Sequence, residues 1–440
     1  MLRPCPKMPA GKLDLIPKMA RISQAFARPQ EVNIESRVFE ELGKVFANNP
    51  PRLGAQIGIT AGSRGISNIA EITRSAVRFL RSIGVEPFII PAMGSHGGAG
   101  AEAQQHLIEH YGITEQAVEA PIRPAMETLS LGKTNSGVEA FLAKTALDSD
   151  GILLLNRIKP HTDIKGDIES GLVKICGIGL GKLDGAAEYH SHLFTVGLGQ
   201  AIKDAAELVF AKGVIVGGLG IIENAYHETA SLVGVPVDSF FEQEAKLLSE
   251  ARSLMPKVPV AKVHVLLADQ MGKNISGSGM DTNIINRSVR GFQDVSGWQP
   301  SGPIIRRIVV NDLTDESDGN AVGMGMVDFI TERFHNRIDY YVTSINGFTS
   351  CGPHNVKTPV VLKNTREALA IAIETCGKDK LAPKVVYIRD TLSLTDLFVS
   401  EACLPELEGR DGIEVVTKPQ ALEFNSEGYI VSPWGLTGHH

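Results

Sequence analysis

His161, Lys174, His190 and His192 fall within one run, Ile152 to His192, which opens as an apolar strand, breaks at Pro160 and is then interrupted by glycines. Two earlier turns carry one reactive side chain each, Arg64 in AGSRGISN and His96 in PAMGSHGGA. Imidazole titrates near neutral pH and serves as acid, base or metal ligand. A lysine becomes a nucleophile or a covalent attachment point when its pKa is lowered, and is otherwise a phosphate contact. An arginine in a tight turn offers a planar clamp for an oxyanion. Two histidines among these, on opposite sides of a bound carbon, would suit an acid and a base that exchange roles, as a racemase or epimerase requires. His190 and His192 form an HxH pair, sharing a face in a strand and diverging in a helix. With His161 they make the set that a zinc-dependent hydrolase or lyase would use, although no HExxH or carboxylate partner accompanies them.

Strand ends must hold these side chains. AQIGIT (55–60), VEPFIIPAM (85–93) and GILLLN (151–156) read as buried strands, each running into a turn that bears a candidate residue. Amphipathic segments at 35–47, 69–82 and 199–211 read as the intervening helices. This alternation predicts right-handed βαβ units and a parallel sheet, with ligands at the carboxyl ends of its strands. MPKVPVAK (255–262) has two prolines and reads as a linker. Beyond it, strands are expected at 263–269, 306–313, 339–345 and 384–391, with a helix capped by Asn364. The expectation is an α/β protein of two domains, 1–255 for catalysis and cofactor binding and 256–440 closing over the substrate. The first has a mainly parallel sheet, and the active site lies in the cleft between them.

Composition excludes several classes. A net charge of -7 over 440 residues argues against nucleic acid or an anionic membrane as partner. Five widely spaced cysteines without a CxxC pair suit a reducing cytoplasm and supply no zinc or iron-sulfur framework. No apolar run reaches the length of a membrane span, and the first residues lack the apolar core of a secretion signal. A cytoplasmic location is expected.

GITAGSRGI, PAMGSHGGA, IKPHTDIKGDIESGLVK and AEYH, in this order, resemble the nickel-dependent lactate racemase family. Members carry a nickel-pincer nucleotide joined to a lysine through a thioamide, its nickel bound by the pincer's carbon, two sulfurs and one histidine. The resemblance implies proton-coupled hydride transfer at C2 of a 2-hydroxy acid. It implies that Arg64 binds the substrate carboxylate and that His96 and His161 are the acid/base pair. Lys174, in SGLVK, would be the attachment lysine, and His190, sixteen residues later, the nickel ligand. His192 becomes a bystander, and Lys165 and Lys182 are rivals that only the SGLVK context sets aside. Cofactor-biosynthesis enzymes are the partners implied.

Departures from the family pattern surround the substrate. Ala, Ser and Gly stand where that family flanks Arg64 with Asp, Thr and Pro, and the loop from His161 to Lys174 is longer. Further on, Ser276, Gly277 and Met280 align with the family's Tyr-Gln and Lys, or in another register Gln270 and Lys273 do. Lys273 and Asp281 are the candidate substrate contacts there. The expectation is a racemase or epimerase whose substrate is not lactate. The alternatives are the zinc enzyme above and a non-catalytic ligand binder on the same fold.

Overall fold

A computed structural model describes residues 15–96, 100–291 and 302–434. The chain is a mixed α/β protein, and two compact units divide it. One is Ala27–Met255; the other combines the residues before it with those after it. The lead-in expected with the first domain therefore belongs to the other unit. MARISQ forms β1 (Met19–Gln24), whose Met19, Ala20 and Ile22 are buried. So short a strand leaves little periodicity to read, and its place is set by partners far along the chain.

In the unit Ala27–Met255, β2 (Gln56–Ala61), β3 (Glu86–Pro91), β6 (Gly151–Arg157), β7 (Ile215–Glu223) and β8 (Thr229–Val235) form a sheet in the order β3-β2-β6-β7-β8. The first four strands are mutually parallel, and β8 is antiparallel to β7. Both faces are covered, so the strands are apolar throughout rather than alternating. Ile57, Ile59, Leu153, Leu155 and Leu219 pack against the helices Ile34–Phe46 and Ile69–Ser82. Ile90, Ile152 and Leu154 pack on the other side against Leu172, Ile175, Val209 and Phe240. A hairpin of β4 (Thr128–Lys133) and β5 (Glu139–Ala143) stands apart from the sheet.

Chain direction positions the site. From β2 the chain crosses to β3 on one side; later it passes from β6 to β7 on the other. The sheet order thus reverses between β2 and β6, and the carboxyl ends at such a switch point leave a crevice.

In the other unit, β9 (Lys262–Met271), β10 (Ile304–Leu313), β11 (Phe329–Thr331), β12 (Val360–Leu362), β13 (Val385–Ile388), β14 (Asp396–Ser400) and β15 (Ile413–Val415) join β1 in the order β12-β11-β10-β9-β13-β14-β1-β15. The run from β12 to β13 is parallel, whereas β14, β1 and β15 pair antiparallel. Residues 339–345, expected as a strand for their aromatic and β-branched content, instead begin the helix Tyr340–Thr349. Asp339 caps it, its carboxylate accepting from the N–H groups of Tyr341 (2.9 Å) and Val342 (3.0 Å). No helix among the described residues is long and apolar enough to cross a membrane.

Candidate active site

The loops after β3, β2 and β6 lie side by side and bear His96, Arg64 and His161 in that order, with the Arg64 loop in the middle. The first two loops are joined directly, for Ser63 Oγ lies 2.6 Å from His96 Nδ1. Behind His96 is a buried relay. The amide of Gln104 donates to the carbonyls of Gly94 (2.9 Å) and His96 (3.1 Å), and its oxygen accepts from the Lys182 ammonium at 3.1 Å. Lys182 also donates to the carbonyl of Pro91, the last residue of β3. Burial pushes the Lys182 amine down to about 8. Gly97 and Gly98, which follow His96, lie outside the described residues.

After β6 the backbone of Lys159 pairs with that of Ser170, folding the intervening residues into a loop. The buried Glu169 holds it, accepting from the His161 N–H at 2.6 Å, the Gly166 N–H at 3.4 Å and the Arg252 guanidinium at 2.7 Å. The turn aims two N–H groups, of Asp163 and Ile164, at His161 Nδ1, each at 3.0 Å. An Nδ1 that accepts must carry its lone pair, so the neutral ring bears its proton on Nε2. Desolvation, then the charges of Lys174, Lys165, Lys159 and Arg64, hold the His161 pKa well below its ordinary value. Arg64 is exposed by area but crowded by protein. Desolvation lowers its pKa, with Arg157 adding to the shift and Tyr111 opposing it.

Lys174 ends a short helical turn, Leu172–Lys174, that runs into the π-helical segment Ile175–Gly179. Such wide turns are often found at functional sites. Its approach is fixed on two sides. Asn156, near the end of β6, donates to the Gly171 carbonyl at 2.9 Å, and the buried Glu244 carboxyl accepts from the Val173 N–H at 2.8 Å. A Cβ at Gly171 would collide with Glu244 Oε1, which explains the glycine of SGLVK. Burial pushes Glu244 up to about 8. The Lys174 amine is lowered to about 8 by desolvation, then by Arg64 and Lys159. It makes no hydrogen bond or ion pair with another described residue. The rivals are committed: Lys165 Nζ donates to the His161 carbonyl at 2.5 Å and faces Glu169 at 3.8 Å, and Lys182 is held in the relay.

His190 lies in the helix Lys182–Ser191, where Nδ1 meets the Ala186 carbonyl at 2.6 Å. A carbonyl only accepts, so Nδ1 carries the proton and Nε2 the lone pair, the form in which histidine binds a metal. The hairpin braces this helix, with Glu139 N–H donating to Glu188 and Phe141 N–H to Tyr189. Gly94 N–H donates to the Gly179 carbonyl at 3.2 Å, which docks the His96 loop on the segment joining Lys174 to His190. His192 is the helix C-cap and turns to Glu188, 3.0 Å from its Nε2. The described residues contain no cluster of three His, Cys, Asp or Glu that could hold a metal, so the zinc set of His161, His190 and His192 is not assembled.

Lys273 and Asp281 belong to the other unit. The Lys273 ammonium donates to the Gly277 carbonyl and to Asn346, both at 2.8 Å. Asp281 caps the short helix Thr282–Ile285. Sequence reasoning passed over Lys159, Glu169, Gln104 and Glu244. Lys159 was visible two residues before His161, but the others belong to no motif and act through contacts far along the chain.

Within Ala27–Met255 these features define an α/β protein whose imidazoles and cationic side chains follow the carboxyl ends of strands at a switch point. No protein-family model matches the chain, and no curated protein matches it in sequence. Among solved structures, it is similar to the lactate racemase apoprotein from Thermoanaerobacterium thermosaccharolyticum, at 15% identity and a TM-score of 0.48, over 86% of this chain and 99% of that one.

Proposed function

We propose that the protein is an isomerase, a racemase or epimerase acting at C2 of a 2-hydroxy acid other than lactate, with a nickel-pincer nucleotide joined to Lys174. The observation that carries this reading is the order of the loops: Arg64 stands between the loops of two imidazoles, and an amine lowered to about 8 belongs to the same charge cluster. The side chains present fit the group. Lys174 is held by no partner among the described residues and is partly neutral near physiological pH, as acylation of an amine requires. His190 bears its lone pair on Nε2 and would supply the protein ligand to nickel. Arg64, Lys159 and Lys165 would attract the anionic nucleotide and the substrate carboxylate.

When bound, the nickel-pincer nucleotide supplies the acceptor for the hydride that leaves C2. The chain's own residues do the rest. Arg64 fixes the carboxylate and so the orientation of C2. His96, aligned by Ser63, takes the hydroxyl proton, and His161 faces the developing charge from the other side. The residues that differ from the lactate enzymes around Arg64 and near Lys273 favour a larger or more polar acid. Cofactor-biosynthesis enzymes are the implied partners.

The test is a panel of C2-deuterated 2-hydroxy acids, sugar acids included, offered to protein co-expressed with those biosynthetic enzymes. Scrambled stereochemistry at C2 with the deuterium retained is expected for hydride transfer. Binding with stereochemistry intact throughout the panel would favour a ligand binder, and wash-out of deuterium would indicate simple proton abstraction.

A further inference from the structure

We infer that Lys182 is a positioning residue, a buried donor that fixes the loop bearing His96 to the helix bearing His190. The step that His96 performs rests on the isomerase reading, but the contacts that place it do not. Lys182 is 1% exposed and begins the helix Lys182–Ser191. Among the described residues its ammonium faces no carboxylate and meets two oxygens, the carbonyl of Pro91 at the end of β3 and the Gln104 amide oxygen at 3.1 Å. Burying an ammonium against neutral acceptors is costly, and a methionine would fill the space without that cost. What the lysine adds is a donor. A carbonyl only accepts and an ammonium only donates, so a side chain that joins them must do both. Gln104 does: with its oxygen held by Lys182, its amide N–H groups turn to the carbonyls of Gly94 (2.9 Å) and His96 (3.1 Å). An acceptor in place of Lys182 would turn the amide round and set its oxygen against those carbonyls.

The backbone agrees with this role. Lys182 has a φ of 54°, left-handed and uncommon for a residue with a Cβ, so its contacts must hold it there. Gly94, also left-handed at 61°, donates its N–H at 3.2 Å to the carbonyl of Gly179, shortly before Lys182. Loop and helix are thus joined twice, once through backbone and once through the relay. The ring of His96 is set from its other side by Ser63 Oγ, 2.6 Å from Nδ1. The helix keeps its own place without the relay: the hairpin holds it at Glu188 and Tyr189, and His190 Nδ1 meets the Ala186 carbonyl within it. Loss of the relay is therefore expected to free the His96 loop rather than the metal ligand.

Lys182→Met and Gln104→Met cut the relay at its two links, and two measurements test it. The first is NMR of the cofactor-free protein labelled at histidine, with His96 and His161 assigned by loss of signal in His96→Gln and His161→Gln. Both variants are expected to move the ring signals of His96 and to leave those of His161 in place. Unmoved His96 signals in either folded variant overturn the inference, and so does failure of both to fold, which would make the relay a support of the whole unit. The second, in protein co-expressed with the biosynthetic enzymes, is turnover of the 2-hydroxy acid that the panel identifies. Here kcat should fall about 10–10²-fold, the cost of displacing a reacting group by about 1 Å, with KM, nickel content and the Lys174 adduct unchanged. Loss of nickel or adduct, or a raised KM with kcat intact, would assign the relay to the cofactor or to binding and sink the proposal. Wild-type protein that scrambles no member of the panel fails the isomerase reading, and the His96 signals then decide the coupling alone.

Discussion

His161 and His190 are the same side chain on one stretch of chain, and the backbone around them fixes opposite protonation patterns. After Pro160 the chain turns tightly enough that two N–H groups converge on His161 Nδ1. In the helix Lys182–Ser191 the groups pointing toward a side chain from the preceding turn are carbonyls, and Ala186 claims the Nδ1 proton of His190. One ring therefore presents N–H and the other a lone pair. A turn makes the donor and a helix makes the ligand; histidine's versatility is resolved by which end of the peptide unit it meets.

The largest effect is expected from removing the lone pair. His190→Ala is expected to abolish nickel retention and activity in protein co-expressed with the biosynthetic enzymes, while His192→Ala retains both; metal analysis of the two variants checks it. Next is the relay at the start of the His190 helix. Lys182→Met leaves the Pro91 carbonyl and the Gln104 amide without their donor and should cost about 1–3 kcal/mol, measured by urea unfolding.

Glu244 supports the segment between the two histidines and carries a pH signature. Its folded carboxyl is raised to about 8, whereas in the unfolded chain it ionises near ~4.3. Between these values the folded state holds the extra proton, so this contribution is full below the unfolded pKa and is lost as pH rises toward 8. Glu244→Gln should flatten that slope, so that its melting temperature gains on wild type from about pH 5 to about pH 9. The smallest effect is expected at Lys174. Lys174→Met removes one like charge facing His161, so the ring's pKa should rise, as nitrogen-15 NMR of histidine-labelled protein would read.

Much of this was legible in the sequence because periodicity and glycine turns are local. The helix Ile69–Ser82 has the bounds its pattern suggested, and β2, β3 and β6 end where Arg64, His96 and His161 were expected to follow strands. What escaped depends on distant partners. β1 joins strands from the far end of the chain, and Glu244 reaches Val173 across 71 residues. The helix Tyr340–Thr349 was misread because β-branched and aromatic residues favour strands on average, while a single capping aspartate decides locally. The different tautomers of His161 and His190 were not legible either. Residue type and spacing place an imidazole at a strand end, but its tautomer depends on the aim of backbone dipoles that only the folded loop supplies.

Lys174 is the residue on which the proposed chemistry depends. Peptide mass mapping of protein co-expressed with the cofactor-biosynthesis enzymes is expected to find the nucleotide adduct on the peptide bearing Lys174, and to find none in Lys174→Arg. An unmodified Lys174 in protein that has met those enzymes, or an adduct on Lys165 or Lys182 instead, would contradict it.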